Sequence, residues 1–332
     1  MNSQPADKMT SRERFQATMG YGTVDRVPYF EEGIRKDVLR KWRRQGLARD
    51  VDLSRLFAAD RRIEIELDVE PHPAFRKWPS SKADLAALRK RLDPNRRSRL
   101  PRNWKRLVKK SESDGVVTML RVHRGLFLSM GVREWQRFSQ VMHLLAENPD
   151  FVRAAMAIQG EFAAALAQRA LEDMKVDAAI FSEPIGGNHL PLVSPQMYEH
   201  IVLKSYEPVL GVLRRYGVET IIFRTYANAR ILIPSILKWG FNCLWACEVN
   251  IDAMDYRALR REFGRDLRLI GGIDLDALRG GRQAIYRELM QKVPPLVADG
   301  GYVPLADGRV RADVTYENYV TYRQLLQELT RS

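Results

Sequence analysis

The clearest periodicity in the chain lies over residues 63–69. Ile63, Ile65, Leu67 and Val69 fall on one face, and Glu64, Glu66 and Asp68 on the other. A period of two predicts a strand with one polar side. Seven further short apolar runs read as strands, at 27–31, 116–123, 177–182, 218–224, 241–247, 267–270 and 302–306. Helical patterns fill most of the gaps. Thr10 with Glu13 close behind predicts a capped helix to about residue 19. Ser194-Pro195 is a cap followed by proline at the first helical position, opening a helix to about 216. Ser81 and Thr315 cap two more. Eight strands, nearly all separated by helices, predict an α/β chain of the (β/α)8 TIM-barrel type. An N-terminal helical extension precedes the units, and residues 1–332 read as one domain. A doubly wound open sheet is the alternative, but no glycine-rich nucleotide loop follows the first strand.

Within that pattern, residues 267–274 mark the register. Leu267 to Ile270 read as a buried strand, Gly271-Gly272 as a sharp turn made without a Cβ penalty, and Asp274 as the first polar residue beyond it. Asp274 has two readings. It is a helix N-cap, or it belongs to a site, because chemistry is placed past strand C-termini in such folds.

Composition narrows the class. Of 332 residues 45% are hydrophobic, enough for a large core. No run approaches the roughly 18 apolar residues of a membrane span, and residues 1–9 lack the apolar core of a signal peptide. Cys243 and Cys247 are the only cysteines. Four residues apart on one strand they stand about 13 Å from each other, too far for a disulfide. A cytoplasmic location fits. The net charge of +13 comes from 54 basic and 41 acidic residues. Much of the excess sits in an insertion at about 89–112, where Arg89, Lys90, Arg91, Arg96, Arg97, Arg99, Arg102, Lys105, Arg106, Lys109 and Lys110 crowd around Asp93. Trp104 is the only aromatic there, so a nucleic-acid surface is disfavoured. A solvated surface insertion is the plain reading, and an acidic protein partner the functional one.

The strand ends carry candidate chemistry. They present Glu32, Asp68, His123 with Arg124, Glu183 with His189, Arg224 with Tyr226 and Asn228, Glu248, Asp274, and Asp307 with Arg309. Each has a bland reading as an ion pair, cap or packing residue. Their recurrence at one end of every strand favours a site. Arg121 and His123 are expected to share a face, as are Arg224 and Tyr226. Arg224, with Arg124 or Arg309, suits a carboxylate. Glu183, Glu248 and Asp307 are candidate acids or bases, and Tyr226 a donor to a developing oxyanion. Cys247 reads as a small buried apolar residue. No His or Cys spacing reads as a zinc site.

Several blocks, taken together, resemble the uroporphyrinogen decarboxylase superfamily. They are Thr10-Ser11-Arg12-Glu13-Arg14, Val24-Asp25-Arg26-Val27-Pro28, Pro191-Leu192-Val193-Ser194-Pro195, the 267–274 stretch, Gly300-Gly301-Tyr302-Val303-Pro304 and Tyr316-Glu317-Asn318-Tyr319. The resemblance implies a (β/α)8 barrel with its site in the C-terminal mouth. It also implies one of two chemistries: cofactor-free decarboxylation of a tetrapyrrole's acetate arms, or methyl transfer involving a corrinoid carrier protein, often with zinc. This chain departs from both. The decarboxylases' Arg-x-Ala-Gly-Arg loop is replaced by Phe30-Glu31-Glu32-Gly33-Ile34-Arg35. The methyltransferases' His-x-Cys and later Cys correspond to Arg224, Tyr226 and Gly308. The wording is nearer the methyltransferase side, particularly its demethylase-like members.

The expectation is therefore methyl transfer from a small, aromatic or carboxylated donor to a corrinoid (cobalamin) on a partner protein, without the usual zinc ligands. Glu183, Tyr226, Glu248 and Asp307 are the expected catalytic residues. His123, Arg124, His189, Arg224, Asn228, Asp274, Arg309 and Glu32 are the expected substrate contacts. Decarboxylation of an acidic substrate and a non-catalytic binding barrel are the alternatives. A homodimer is a further expectation; a membrane partner is not.

Overall fold

The computed structural model describes residues 9–113, 115–247 and 254–330. The chain divides into two compact units. A central unit comprises Ile63–Ser113 and Thr118–Asn242, and a terminal unit comprises Met1–Arg62, Asp114–Val117 and Cys243–Ser332. The central unit holds most of β1 (Arg62–Glu66) and β2 (Val117–His123), with β3 (Ala178–Glu183) and β4 (Thr220–Tyr226). The terminal unit holds β5 (Cys243–Cys247), β6 (Arg268–Ile273) and β7 (Tyr302–Ala306). Neighbouring strands follow chain order within each unit, and β2–β3, β3–β4, β5–β6 and β6–β7 run parallel. Among the described residues no helix is long and apolar enough to cross a membrane.

Seven strands stand among the described residues, against the eight expected. The missing one is the first. Val27, Tyr29 and Phe30 are buried as expected, but residues 27–31 form no strand. Pro28 has no N–H to give a ladder. The Tyr29 N–H donates to Asp60 Oδ2 at 2.7 Å, and the Tyr29 carbonyl accepts from the Asp60 N–H at 2.9 Å. A carboxylate clasp thus replaces strand pairing. Asp60 also binds Arg26 Nη1 (2.7 Å) and Arg14 Nη1, while Arg14 grips Asp25 through Nε (2.7 Å) and Nη2 (2.8 Å). The N-terminal motif is therefore a structural knot of the terminal unit.

The caps form as read. Thr10 accepts from the Glu13 N–H (3.2 Å) and Glu13 from the Thr10 N–H (2.8 Å), closing a capping box ahead of helix Ser11–Met19. Ser194 accepts from the Met197 N–H at 3.2 Å. The Gly271-Gly272 pair behaves differently from a terminal turn. Strand β6 runs through both glycines, at φ +108° and +84°. A Cβ on Gly272 would stand 2.5–3.0 Å from the Tyr256 ring. The Tyr256 hydroxyl accepts from the Ala246 N–H (3.0 Å) and donates to the Ile270 carbonyl (2.8 Å). The glycines kink the strand so that this tyrosine can enter it.

In the central unit, helices Pro149–Asp173 and Lys204–Arg215 pack together, and one face of the β2–β4 strands is covered by helical side chains. Its aromatic core joins Phe181 to Tyr206 (5.0 Å) and to Phe241 (4.8 Å), and Phe223 to Phe241 (5.9 Å). The opposite face of these strands carries Arg121, Ser182 and Arg224.

Candidate functional site

Register decides which side chains share a face. Paired residues in a parallel sheet point the same way, and neighbours along a strand point oppositely. Ser182 pairs with Arg224, and Glu183 with Thr225. The register between β2 and β3 slips after Arg121, so that Arg121 opposes Ile180 but His123 opposes Phe181. A one-residue slip reverses the face. Arg121 and His123, expected on one face, are therefore on opposite faces.

His123 and Glu183 turn toward the helices. His123 lies 4.5 Å from the Tyr206 ring and 6.3 Å from Phe181. Its Nδ1 accepts from the Gly125 N–H (3.0 Å), and burial holds its pKa down at about 3, so the ring stays neutral. Glu183 is fully enclosed. Its Oε1 accepts from the Leu126 N–H (2.8 Å), and its Oε2 from Tyr206 (2.5 Å) and Tyr198 (3.3 Å). Burial raises its pKa to about 7, against the lowering effect of these three donors. Both tyrosines are held well above the ordinary phenol range by burial, with Glu183 adding to it, so they remain donors.

Local geometry explains the convergence. Eight residues along an α-helix leave two side chains about 80° apart. The turn at Tyr198–Leu203 is π-helical, and its wider winding takes up that excess. Gly125, at φ +85°, leaves no room for a Cβ, which would meet the Ser182 carbonyl and Glu183 Oε1 at 2.6 Å. His123 and Glu183 thus form a buried cap on helix Leu126–Ser129.

The opposite face carries ion pairs. The buried Arg224 forks onto Glu64, with Nη1 to Oε2 at 3.0 Å and Nη2 to Oε1 at 3.1 Å. Arg121 binds Glu66 at 3.0 Å and reaches Ser182 Oγ at 3.3 Å. Tyr226, two residues beyond Arg224 at the end of β4, is 40% exposed. Glu64, Glu66, Arg121 and Ser182 were not among the expected site residues. The alternation at 63–69 exposed the two carboxylates as a polar face, but not their arginine partners.

Past the strand ends, Arg124 donates through Nη1 to Glu70 Oε1, which also accepts from Arg133. Arg124 Nε and Nη2 are buried with no acceptor among the described residues. Burial lowers the Arg124 pKa, with Glu70 opposing the shift. Nearby in sequence, Asp68 holds His72 at 2.5 Å. Asn228 Nδ2 donates to the carbonyl of the exposed His189 (2.6 Å), and the Asn228 N–H to Gly187 (2.9 Å). The Asn228 side chain and backbone therefore tie two loops together through the His189 and Gly187 carbonyls, leaving the exposed imidazole in solvent.

The remaining expected residues belong to the terminal unit. Glu32 pairs with Arg62 at 3.5 Å. Asp274 accepts from the Asp276 N–H (2.8 Å), as a cap does, and burial raises its pKa. The buried Asp307 accepts from the Leu275 N–H at 3.1 Å. Arg309 is exposed. Glu248 lies outside the described residues. Cys243 and Cys247 are buried and in no disulfide, and burial pushes the Cys243 thiol up to about 12.

Zinc, which the resemblance implies for many methyltransferases, does not suit the residues at the corresponding positions. Arg224 is a cation already bound to Glu64, Tyr226 is a phenol, and Gly308 has no side chain to offer.

Parallel strands in chain order, alternating with helices and carrying polar side chains at their C-terminal ends, define an α/β chain of the TIM-barrel-like class. Residues 61–303 match the family model for uroporphyrinogen decarboxylase (URO-D), and the chain belongs to that family. No curated protein matches it. Among solved structures, it is similar to a methyltransferase from Methanosarcina mazei, with a TM-score of 0.58 at 14% identity. That likeness covers 97% of this chain and 99% of the other, and it is a likeness of fold.

Proposed function

We propose that this chain is a methyltransferase-like enzyme. It passes a methyl group from a small, carboxylated aromatic methyl ether to a corrinoid borne by a partner protein. The observation that carries the reading is the pairing of Arg121 with Glu66 and of Arg224 with Glu64. Arginines neutralised by the protein's own carboxylates are poorly placed to grip the several carboxylates of an acidic tetrapyrrole. What remains is Arg124. With Arg133 it shares a single carboxylate, so the trio carries one net positive charge. Its two buried N–H groups without an acceptor match one carboxylate.

In this reading Arg124 anchors the substrate's carboxylate. The Arg224–Glu64 pair fixes the polar floor beside Tyr226. The ether's O–CH3 bond breaks heterolytically, and the reduced corrinoid acceptor supplies the electron pair for the new bond to carbon. The leaving oxygen keeps the old bonding pair and takes the Tyr226 proton. Glu183, turned toward the helices, is assigned no proton transfer. Asp307 and Glu248 are assigned no step.

The test is incubation with methoxybenzoates and reduced corrinoid, following the corrinoid's absorbance and the demethylated acid. Saturable methyl transfer is expected, with Arg124→Ala raising KM at least about tenfold. Release of carbon dioxide from uroporphyrinogen, with no methyl transfer, would replace this reading with decarboxylation.

A further inference from the structure

The basic insertion is not a loose solvated segment. Arg99 at its centre is fully buried. It donates to the carbonyls of Asp93 (2.9 Å), Asp68 (3.1 Å), Arg91 (2.9 Å) and Glu70, and its guanidinium lies 4.6 Å from the Phe162 ring centre. Arg169, on helix Pro149–Asp173, donates to the Pro94 carbonyl and, at 3.4 Å, to that of Arg96. These anchors fix a groove of about 1020 Å³ between the insertion and Arg169.

The groove is lined by five cations, Arg97, Arg102, Lys105, Arg106 and Arg169, and by no acidic residue. Elsewhere in the central unit several arginines are paired: Arg89 with Glu161, Arg121 with Glu66, Arg124 with Glu70, Arg224 with Glu64. Among the described residues the five groove cations make no ion pair. Between them lie Leu100, Pro101 and the half-buried Trp104. Trp104, fixed by its Nε1 donating to Asp173 at 2.7 Å, is the single aromatic lining the groove. Single-stranded nucleic acid binding relies on several such rings for successive bases.

We propose that this groove docks an acidic, apolar-interspersed segment of a partner polypeptide. The partner's carboxylates would meet the rim cations and its apolar side chains the Leu100–Pro101–Trp104 floor. A pre-formed groove lowers the ordering cost of capture, and unpaired rim charge raises the association rate. The proposal stands independently of the reaction proposed above.

The experiment uses the full chain and a labelled twelve-residue peptide of Glu and Asp with Leu at every third position, read by fluorescence anisotropy. Binding is expected to weaken at least about thirtyfold in Arg102→Glu/Arg106→Glu, and steeply as salt rises from about 0.1 to 0.5 M. Both positions are exposed, so melting temperature should be unchanged. Arg97→Ala/Lys105→Ala should weaken binding about tenfold. Three results would overturn the proposal: no peptide binding, binding indifferent to both variants, or tighter binding of an oligonucleotide of equal charge.

Discussion

Replacing Glu183 with glutamine separates a buried structural carboxyl from a catalytic one. In the folded protein its pKa is raised from 4.5 to about 7 by burial. At about 1.4 kcal/mol per pH unit, that difference amounts to about 3 kcal/mol. The sign follows from proton binding. Between pH 4.5 and 7 the folded state holds a proton that the unfolded state releases. The stabilising contribution is therefore full below 4.5 and lost as pH rises through 7. Glutamine cannot ionise and lacks this slope. Its amide N–H2 costs a constant amount, about 1–3 kcal/mol, for want of a good acceptor. His123, held neutral to about pH 3, has the opposite slope between 3 and 6.5, but it is common to both proteins and cancels. Urea unfolding of wild type and Glu183→Gln, at pH 4 and pH 8, measures the difference. Relative to wild type, the variant should gain about 3 kcal/mol on going from pH 4 to pH 8. A difference that stays flat, or moves the other way, would refute the assignment of Glu183 to an enclosed, desolvated cap.

Two further substitutions test the frame around the site. Gly272→Ala combines a strained φ with a clash against Tyr256, and should cost about 2–4 kcal/mol in urea unfolding; a neutral result would contradict the kinked-strand account. Arg99→Lys replaces a four-carbonyl cradle with a point charge, and should cost about 2–4 kcal/mol. An unchanged thermal melt would show that the insertion is not anchored there.

The family was legible in the sequence because its most visible motif is structural. Arg14, Asp25 and Arg26 converge with Asp60, and a network of buried charges tolerates little change. Caps were legible too, since their chemistry is local. What escaped the sequence was non-local. The expected strand at 27–31 failed because the Asp60 side chain took its backbone amide. The face of His123 was misread because a register slip, invisible in a period-two pattern, follows Arg121. Glu64 displayed itself as a polar strand residue, but its partner Arg224 lies 160 positions away. Glu183 looked like a mouth residue, although pairing with Thr225 and a π-helical turn of tyrosines commit it to the helix side.

The division of the β2–β4 strands into a helix-capped face and a functional face has a direct kinetic test in the methyl-transfer assay. The double variant Arg224→Gln/Glu64→Gln removes the polar floor with no change in net charge. It should lower kcat/KM by about 100-fold, while Glu183→Gln, assayed below its melting temperature, should stay within about threefold of wild type. A Glu183→Gln enzyme that is inactive though folded, beside a double variant of normal activity, would contradict the account.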